Sequence, residues 1–558
     1  SVILFVICLN PLSFTLQKTR GYSFGKSRTF HHTHNFFIDD LKLYAQTVNS
    51  MKKQLDIVTQ FSKDICMTFG EEKCAFIQIQ KGQIIENREP IIINNLKINP
   101  VENGDNYRYL GIDENISYNG LLNKDRVSKE YMSRIKKIWT SELSDYNKML
   151  AHNTFALPTI TTTVGILDWT IKEINDMDIK TRKFLALSGN FHPNSDVDRL
   201  YINRKAGGRG LKSLKYLLES RIISLRQHLN SIAARSEVLK FVYESELNNI
   251  IRVGGELLNR CNLENDLEET PKEISRKFYQ KEQEQLIENY KNKKMHGYFY
   301  KKLTSDESID TSSSNSRSIS SNITSHFEGY LGAIQDQEIP TKFLINKRQQ
   351  DSNQVITCNK NCRLCKSNIE DVNHIISSCP QMSMRYYLPI RHDVVAKNVL
   401  KAHIQKHSPT ENFKHQTDPE YIYRVGDKEY WWNLSIQTAT KVPHNKPDII
   451  IWDRSEKTCS IVEISCPADV NISKKVEEKL NNYGPLVRNM QIMYPEYKFS
   501  VAPIIVGALG FVPKCLSKYL RELGFNNTET KRLIRKLQNL SVCGTVKICK
   551  TFLRFRDI

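Results

Sequence analysis

The sequence predicts a multidomain α+β protein. Its 558 residues are too many for one hydrophobic core, so about three to four globular units are expected. Between Leu121 and about His296, apolar residues recur at helical three- and four-residue spacing. His444 to Ser465 instead holds two apolar runs rich in β-branched residues around a polar turn, which is the pattern of a β-hairpin.

The charge balance indicates a polyanionic partner. Lys and Arg number 80 against 61 Asp and Glu, which gives a net charge of +19. The basic residues are scattered over the whole length rather than gathered beside an apolar anchor, so nucleic acid is expected and a membrane is not. The 13 cysteines are too sparse and uneven for a secreted disulfide scaffold, which favours a reducing compartment.

Two adjacent carboxylates stand near the N-terminus. Asp39 and Asp40 follow the apolar stretch Phe36 to Ile38, and Leu41 and Leu43 continue the pattern, so a hairpin with both acids at its bend is predicted. Phosphoryl transfer with two divalent cations such as Mg²⁺ needs carboxylates of this kind. The alternative is an ordinary Asp-Asp turn.

Three cysteines and a histidine have the spacing of a zinc site. Cys362, Cys365, His374 and Cys379 form the pattern C-x2-C-x8-H-x4-C, with Cys358 as an alternative to Cys362. Two thiolates from a tight turn and a His-Cys pair from a short helix can complete a tetrahedron around Zn²⁺. Because such a site has no open position for substrate, its predicted role is structural.

A second pair of acids is predicted in the hairpin between His444 and Ser465. If its turn is centred between Ser455 and Glu456, counting outward places Asp448 opposite Glu463. Their Cβ atoms would then be about 5 Å apart, close enough to share one Mg²⁺ or Mn²⁺. Like charges so placed destabilise a sheet unless a metal neutralises them, which favours a catalytic role over two ordinary exposed acids.

This second pair resembles the PD-(D/E)xK nuclease motif. A Pro-Asp dipeptide ends at Asp448 and Glu463 follows after fourteen residues, but Ser465 stands where the motif has its Lys. The next predicted helix offers Lys475 and Lys479, which are four apart and so share one face. In the restriction-like endonucleases of site-specific non-LTR retrotransposons the Lys looks displaced onto this helix, and the segment KKVEEKLNNY is similar to theirs, which favours Lys479.

Other basic residues are candidates for nucleic-acid contacts. Arg209 lies in a glycine-rich segment, Lys293 and Lys294 are interleaved with aromatic residues, and Arg391 and His392 precede the nuclease hairpin. The alternatives are a simple loop for the first, a solvated helix end for the lysines and a structural role for the last two. Thr304 to Ser325 is rich in Ser without an apolar period, which predicts a flexible linker.

The motifs FIDDLKLYA, YRYLGI, HNTFALPTITTTVGILDW, the Cys-Cys-His-Cys site and the nuclease hairpin, in this order, resemble the Pol polyproteins of non-LTR (type-1) retrotransposons. The resemblance covers most of the chain, which is expected to be a C-terminal fragment with its natural start upstream. The implied domains are a partial reverse-transcriptase palm (1–120), a helical thumb and linker (121–300), a Ser-rich flexible linker (301–330), a zinc knuckle region (331–385), an α/β restriction-endonuclease-like domain (386–523) and a basic C-terminal extension (524–558).

The resemblance implies target-primed reverse transcription, in which the nuclease nicks DNA and an RNA-directed DNA polymerase extends the free end. The family has a further metal-binding Asp upstream of the pair, whereas residues 1–38 contain no Asp or Glu, so the polymerase site is expected to be incomplete and inactive. The implied partners are target DNA and the element's RNA, with dNTPs only if the polymerase is completed, and the implied location is the nucleus after synthesis in the cytoplasm. The alternatives are a catalytically inactive nucleic-acid-binding remnant and a free-standing metal-dependent DNA nuclease.

Overall fold

The computed structural model describes residues 2–24, 30–86, 88–94, 96–102, 104–114, 120–233, 235–244, 249–263, 270–320, 323–352, 359–408 and 421–555. The chain forms two compact units that interleave in sequence. Unit 1 comprises Ser1–Ser133, Leu157–Met177 and Leu214–Lys281, and unit 2 comprises Arg134–Ala156, Asp178–Ser213 and Glu282–Ile558. The predicted helical segment 121–300 therefore contributes to both units.

Helices and small sheets together give the mixed α+β structure that was predicted. The helices are α1 Val2–Cys8, α2 Asn10–Gln17, α3 Val48–Asp64, α4 Gly120–Thr140, α5 Asp145–Ala151, α6 Pro158–Thr161, α7 Ile171–Leu187, α8 Val197–Tyr201, α9 Leu214–Ala233, α10 Glu237–Glu244, α11 Asn249–Arg260, α12 Pro271–Asn292, α13 Gly297–Ser305, α14 Thr311–Ser320, α15 Ser325–Gln335, α16 Lys342–Asp351, α17 Asp393–His407, α18 Ile472–Met493, α19 Leu516–Glu522 and α20 Asn527–Phe552. The strands are β1 Tyr22–Phe24, β2 Phe30–His32, β3 His34–Phe37, β4 Asp40–Leu43, β5 Ala75–Phe76, β6 Ile79–Gln80, β7 Gln83–Ile84, β8 Ile91–Ile93, β9 Leu96–Pro100, β10 Tyr107–Tyr109, β11 Ile112–Glu114, β12 Ile422–Val425, β13 Lys428–Trp432, β14 Ile449–Asp453, β15 Thr458–Ser465 and β16 Lys498–Ile505. No described helix is both long and apolar enough to cross a membrane.

Unit 1 combines short strands with amphipathic helices. The Thr47 hydroxyl accepts a hydrogen bond from the Ser50 amide and so caps α3, whose Val58 packs with Leu12 and Leu16 of α2. A second small core forms where α9, α11 and α12 meet around Ile223. These packed apolar faces follow the helical periodicity of the sequence.

Unit 2 contains a five-stranded sheet with the order β12-β13-β14-β15-β16. The strands are antiparallel except for β15 and β16, which run parallel because α18 connects them as a crossover. Residues of α17, α19 and α20 share a hydrophobic core with the sheet, and residues of α18 pack in another. Every side chain of β14 is buried, as expected for a strand covered on both faces.

The Ser-rich segment corrects the prediction of a flexible linker, because residues 311–320 form α14. The Asp310 carboxylate accepts a hydrogen bond from the Ser313 amide at the start of this helix. The Asn315 amide donates to the carbonyl of Lys205, and the Val512 amide donates to the Ser314 hydroxyl. The small polar side chains therefore bind neighbouring backbone, an interaction that apolar periodicity does not detect.

The C-terminal segment also differs from its prediction as a basic extension. Residues 527–552 form α20, which begins with Asn526 and Glu529 in a capping box. Leu533 and Leu537 enter the core around the five-stranded sheet, and Val546 and Phe552 enter the core around the cysteine-histidine site. The helix is therefore part of the folded body of unit 2, with its basic residues on the exposed face.

Candidate metal centres

The hairpin register predicted by counting is confirmed. Ile449 lies opposite Val462 and Ile450 lies opposite Ile461, so the next pair outward is Asp448 and Glu463. Asp448 immediately precedes β14, and its amide donates to Glu463 Oε1 at 3.0 Å. The amide of Ile464 donates to Asp448 Oδ2 at 2.8 Å. Backbone hydrogen bonds thus hold the two carboxylates together at one end of the hairpin.

The two carboxyl groups are electrostatically different. Glu463 is 1% exposed, and burial together with the charge of Asp448 raises its pKa, although Lys479 opposes the shift. Burial acts in the same direction on Asp448, but the hydrogen bond from His392 and the charges of His392 and Lys479 outweigh it and lower the pKa of Asp448. Asp448 is therefore the more readily ionised carboxyl group of the pair.

Lys479 and Lys475 occupy different environments on α18. Lys479 Nζ lies 2.7 Å from Glu463 Oε2, whereas Lys475 Nζ lies 2.7 Å from Glu478 Oε1. Four residues advance a helix by about 6 Å, so two lysines on one face do not both reach the same carboxylate. The structure brings Lys479 to the carboxylate pair and leaves Lys475 in an ion pair within its own helix.

His392 and Arg391 also make different contacts. His392 Nε2 lies 3.3 Å from Asp448 Oδ2 and its Nδ1 lies 2.9 Å from Asp393 Oδ1. Burial lowers the pKa of His392, but the two carboxylates raise it to about 9, so the ring is cationic at neutral pH. Arg391 is 2% exposed and donates to the Thr545 hydroxyl. These contacts favour the structural role over a phosphate contact for Arg391.

Tyr483 also belongs to the site, although the sequence did not predict it. Tyr483 lies four residues after Lys479 on α18, its hydroxyl donates to the carbonyl of Lys446 at 3.3 Å, and burial together with the charge of Glu463 raises its pKa. The four-residue spacing from Lys479 was the available signal, since it places both side chains on one helix face.

The donor set fits a hard divalent cation. Asp448 and Glu463 offer carboxylate oxygens, the ligand type that Mg²⁺ and Mn²⁺ prefer. The side chain of Asp448 is 20% exposed, so solvent has access to the pair. Mg²⁺ usually keeps several waters when one or two carboxylates bind it, so the two acids are a sufficient protein contribution.

The four predicted zinc ligands are brought together. Their ligand atoms all lie within 4.8 Å of one another, with Cys362 Sγ 3.9 Å from Cys379 Sγ and Cys365 Sγ 3.4 Å from His374 Nε2. Tetrahedral Zn²⁺ with ordinary bond lengths requires about 3.8 Å between two sulfurs and about 3.5 Å between sulfur and nitrogen. The arrangement therefore fits one zinc ion. The alternative ligand Cys358 lies outside the described residues.

Buried polar groups fix the loops that carry these ligands. Glu370 is fully buried and accepts hydrogen bonds from the backbone amide and the guanidinium of Arg363, between the two N-terminal cysteines. The Asp371 carboxylate accepts from the His374 amide at 2.7 Å. Burial raises the pKa of Cys365, but hydrogen bonds from Ser367 and from the Asn368 amide outweigh it and lower the value to about 6. A thiolate at this position favours metal binding.

The N-terminal aspartates lie at a hairpin bend, as expected. Phe37 pairs with Asp40 across β3 and β4, with Asp39 in the turn, and both acids are exposed. Burial raises the pKa of Tyr109 and the charge of Asp40 adds to the shift, so the second hairpin, β10–β11, lies nearby. Within the described part of the chain, no third metal-ligating side chain completes a cluster with these two acids.

Two of the basic nucleic-acid candidates are engaged within the protein. The Arg209 guanidinium donates to the fully buried Asp145 carboxylate and to the carbonyl of Asn190. Lys293 Nζ lies 2.6 Å from Asp196 and 2.7 Å from Asp198. Both side chains are therefore engaged in ion pairs within unit 2.

The glycines around Arg209 serve an internal purpose as well. A Cβ at Gly208 would lie only 2.0 Å from the carbonyl oxygen of Ile202, so the close approach that glycine permits here is to the chain itself. Lys294, by contrast, is exposed.

The network around Lys293 makes stability depend on pH. His296 donates to Asp196 and Glu338, and these hydrogen bonds raise its pKa from 6.5 to about 9. A raised pKa stabilises the fold below pH 6.5, and this contribution is lost as the pH rises from 6.5 through 9. The loss is about 2 kcal/mol, allowing for partial exposure. Thermal unfolding of wild type and His296→Gln at pH 6.5 and 9 should show a smaller pH effect in the variant; equal pH effects would contradict this assignment.

Comparison with known proteins supports the sequence resemblance. No protein-family model matches the chain. Over 276 residues it is 21% identical to the retrovirus-related Pol polyprotein from type-2 retrotransposable element R2DM of Drosophila melanogaster. The predicted resemblance to a retrotransposon Pol fragment is confirmed. The match covers 47% of this chain and 25% of the relative, so the chain spans about a quarter of that polyprotein. The relative is a type-2 element, whereas the motifs of the sequence were interpreted as those of a type-1 element.

Proposed function

We propose that this chain is part of a retrotransposon reverse transcriptase and endonuclease that binds nucleic acid and nicks target DNA in the nucleus. The proposal depends chiefly on one observation, the grouping of Asp448, Glu463 and Lys479 at the end of a buried hairpin. The similarity to a Pol polyprotein supports it independently. The partners proposed are the DNA target and the element's RNA, in keeping with the net charge of +19.

Each residue of the centre has a proposed task in the reaction. Asp448 and Glu463 would hold Mg²⁺ or Mn²⁺, which supplies polarisation of the scissile phosphate and acidification of a bound water. Lys479, already beside Glu463, orients the attacking water or stabilises charge that develops on the phosphate. The cationic ring of His392 holds Asp448 from the other side. In the proposed protein the zinc site is structural.

The assignment of Lys479 is tested by a matched pair of variants on one helix. In full-length protein, plasmid nicking should require Mg²⁺ or Mn²⁺, and Lys479→Ala should lower its rate by about 10²-fold or more. Lys475→Ala should stay within about twofold of wild type, because Lys475 pairs only with Glu478. Equal rates for the two variants would contradict the assignment of Lys479.

The free-standing nuclease is the second candidate. It is favoured by the N-terminal hairpin, where no third metal-ligating side chain among the described residues joins Asp39 and Asp40 in a cluster. Both candidates predict nicking, and they differ in whether the N-terminal hairpin takes part in DNA synthesis.

A further inference from the structure

A group of cations lies along the packed helices α17 and α20, away from the catalytic carboxylates. Leu533, Ile534 and Leu537 of α20 are buried against the sheet core that also contains Val399 and Leu400 of α17. The residues between these apolar positions face outward, and there α20 carries Arg532 and Lys536, four apart and so on one face. Both are exposed, and Lys401 of α17 is half-buried.

Two contacts establish that the helices run antiparallel. Near one end, Lys406 of α17 pairs with Glu529 of α20 at 3.1 Å. Near the other, Arg391, just before α17, donates to Thr545 of α20 at 3.0 Å. Lys401 therefore lies between these contacts, opposite the first turns of α20.

The three cations are close enough to influence one another. The pKa of Lys536 is lowered by burial and then by the positive charges of Lys401 and Arg532. None of the three has an acidic partner in the part of the chain that the structure describes. We name Lys401, Arg532 and Lys536 the α17–α20 cationic track. Repulsion among unpaired like charges favours binding of an anion at this surface.

The track lies partly on the helix that begins beside the candidate catalytic centre. His392, which contacts Asp448, immediately precedes α17. From His392 to Lys401 the helix advances about 13 Å, which equals about four base pairs of duplex DNA. A duplex bound at the catalytic centre and extending along α17 would reach the track after at least this distance.

We propose that the α17–α20 cationic track binds the phosphodiester backbone of double-stranded DNA about four base pairs to one side of the cleaved phosphate. The proposal rests on the nuclease function proposed above. The contacts are to phosphates, so they position the duplex without reading its sequence.

The test compares two full-length triple variants with the same change in charge. Lys401→Ala/Arg532→Ala/Lys536→Ala removes the track, and Lys457→Ala/Arg488→Ala/Lys498→Ala removes two Lys and one Arg from exposed positions elsewhere in the same unit. Duplex binding is measured with Ca²⁺, without cleavage, over a range of salt. The track variant should bind at least tenfold more weakly, and its log–log salt slope should fall by about 2.7. The control variant should match wild type.

Two further measurements test the position of the track. Hydrolysis of bis(4-nitrophenyl) phosphate, which is too small to reach it, should be equal in wild type and the track variant. Shortening the duplex to fewer than about four base pairs on one side of the nick should remove the difference in binding. The charge-preserving variant Lys401→Arg/Arg532→Lys/Lys536→Arg should restore binding if charge, rather than folding, is responsible.

Several outcomes would overturn the proposal. These are unchanged duplex binding in the track variant, an equal loss in the control variant, or a loss confined to single-stranded RNA. If wild type shows no metal-dependent nicking but the track variant still loses duplex binding, the nuclease function is rejected and the DNA-binding track is supported.

Discussion

Asp448→Asn is expected to reduce metal-dependent plasmid nicking on the order of 10³-fold. The substitution keeps the shape of the side chain and removes the charge that, with Glu463, would hold the cation at the phosphate. His392 and Lys479 hold the pKa of Asp448 low, so the wild-type carboxylate is charged at neutral pH. The substitution therefore removes a full negative charge at that pH. The measurement is the single-turnover nicking rate of supercoiled plasmid with saturating Mg²⁺ or Mn²⁺.

Asp453→Asn provides the matched control, because Asp453 ends β14, the strand that Asp448 immediately precedes. Asp453 pairs with Lys428, so its replacement should lower thermal stability and leave nicking within about threefold of wild type. Nicking by Asp448→Asn at the wild-type rate would exclude the carboxylate pair as the catalytic centre. Intact plasmid with wild-type protein would instead favour the inactive nucleic-acid-binding remnant.

The sequence was sufficient to predict the candidate centre because its parts are local. The register of the hairpin follows from its turn, so counting along the sequence places Asp448 opposite Glu463, as the structure does. The zinc ligands are likewise close in sequence. Helix spacing alone left Lys475 and Lys479 as candidates, and only the family resemblance favoured Lys479, since the choice depends on which lysine of α18 lies beside Glu463.

The remaining features depend on contacts between distant segments. Arg209 and Lys293 looked like phosphate ligands because the sequence does not show that Asp145 and Asp196 fold against them. Similarly, the helix α14 was not predicted because its sequence has no apolar period. Hydrogen bonds to residues far along the chain stabilise it instead. The helix α20 was predicted as a basic extension because of its many basic residues, although its apolar positions recur at helical spacing.

Loss of zinc is expected to cost unit 2 about 4–5 kcal/mol or more. Cys362 and Cys379 lie in the same hydrophobic core as Val542 and Phe552 of α20, so the metal would hold together a core and not only a loop. Cys365→Ser should abolish stoichiometric zinc in elemental analysis and lower the unfolding temperature. Cys515→Ser, which replaces another half-buried thiol, should keep the zinc and shift the unfolding temperature only slightly.

Retention of zinc by Cys365→Ser, or equal stability of the two variants, would show that the four residues are not a structural zinc site.

The position of α20 gives zinc loss a second consequence, for the catalytic centre. Its N-terminal half packs in the core that contains Val395 of α17, and α17 begins beside His392. Disorder spreading from an empty zinc site through α20 would displace His392 and thereby Asp448. Zinc loss is therefore expected to lower stability and nicking together, whereas Asp448→Asn lowers nicking alone.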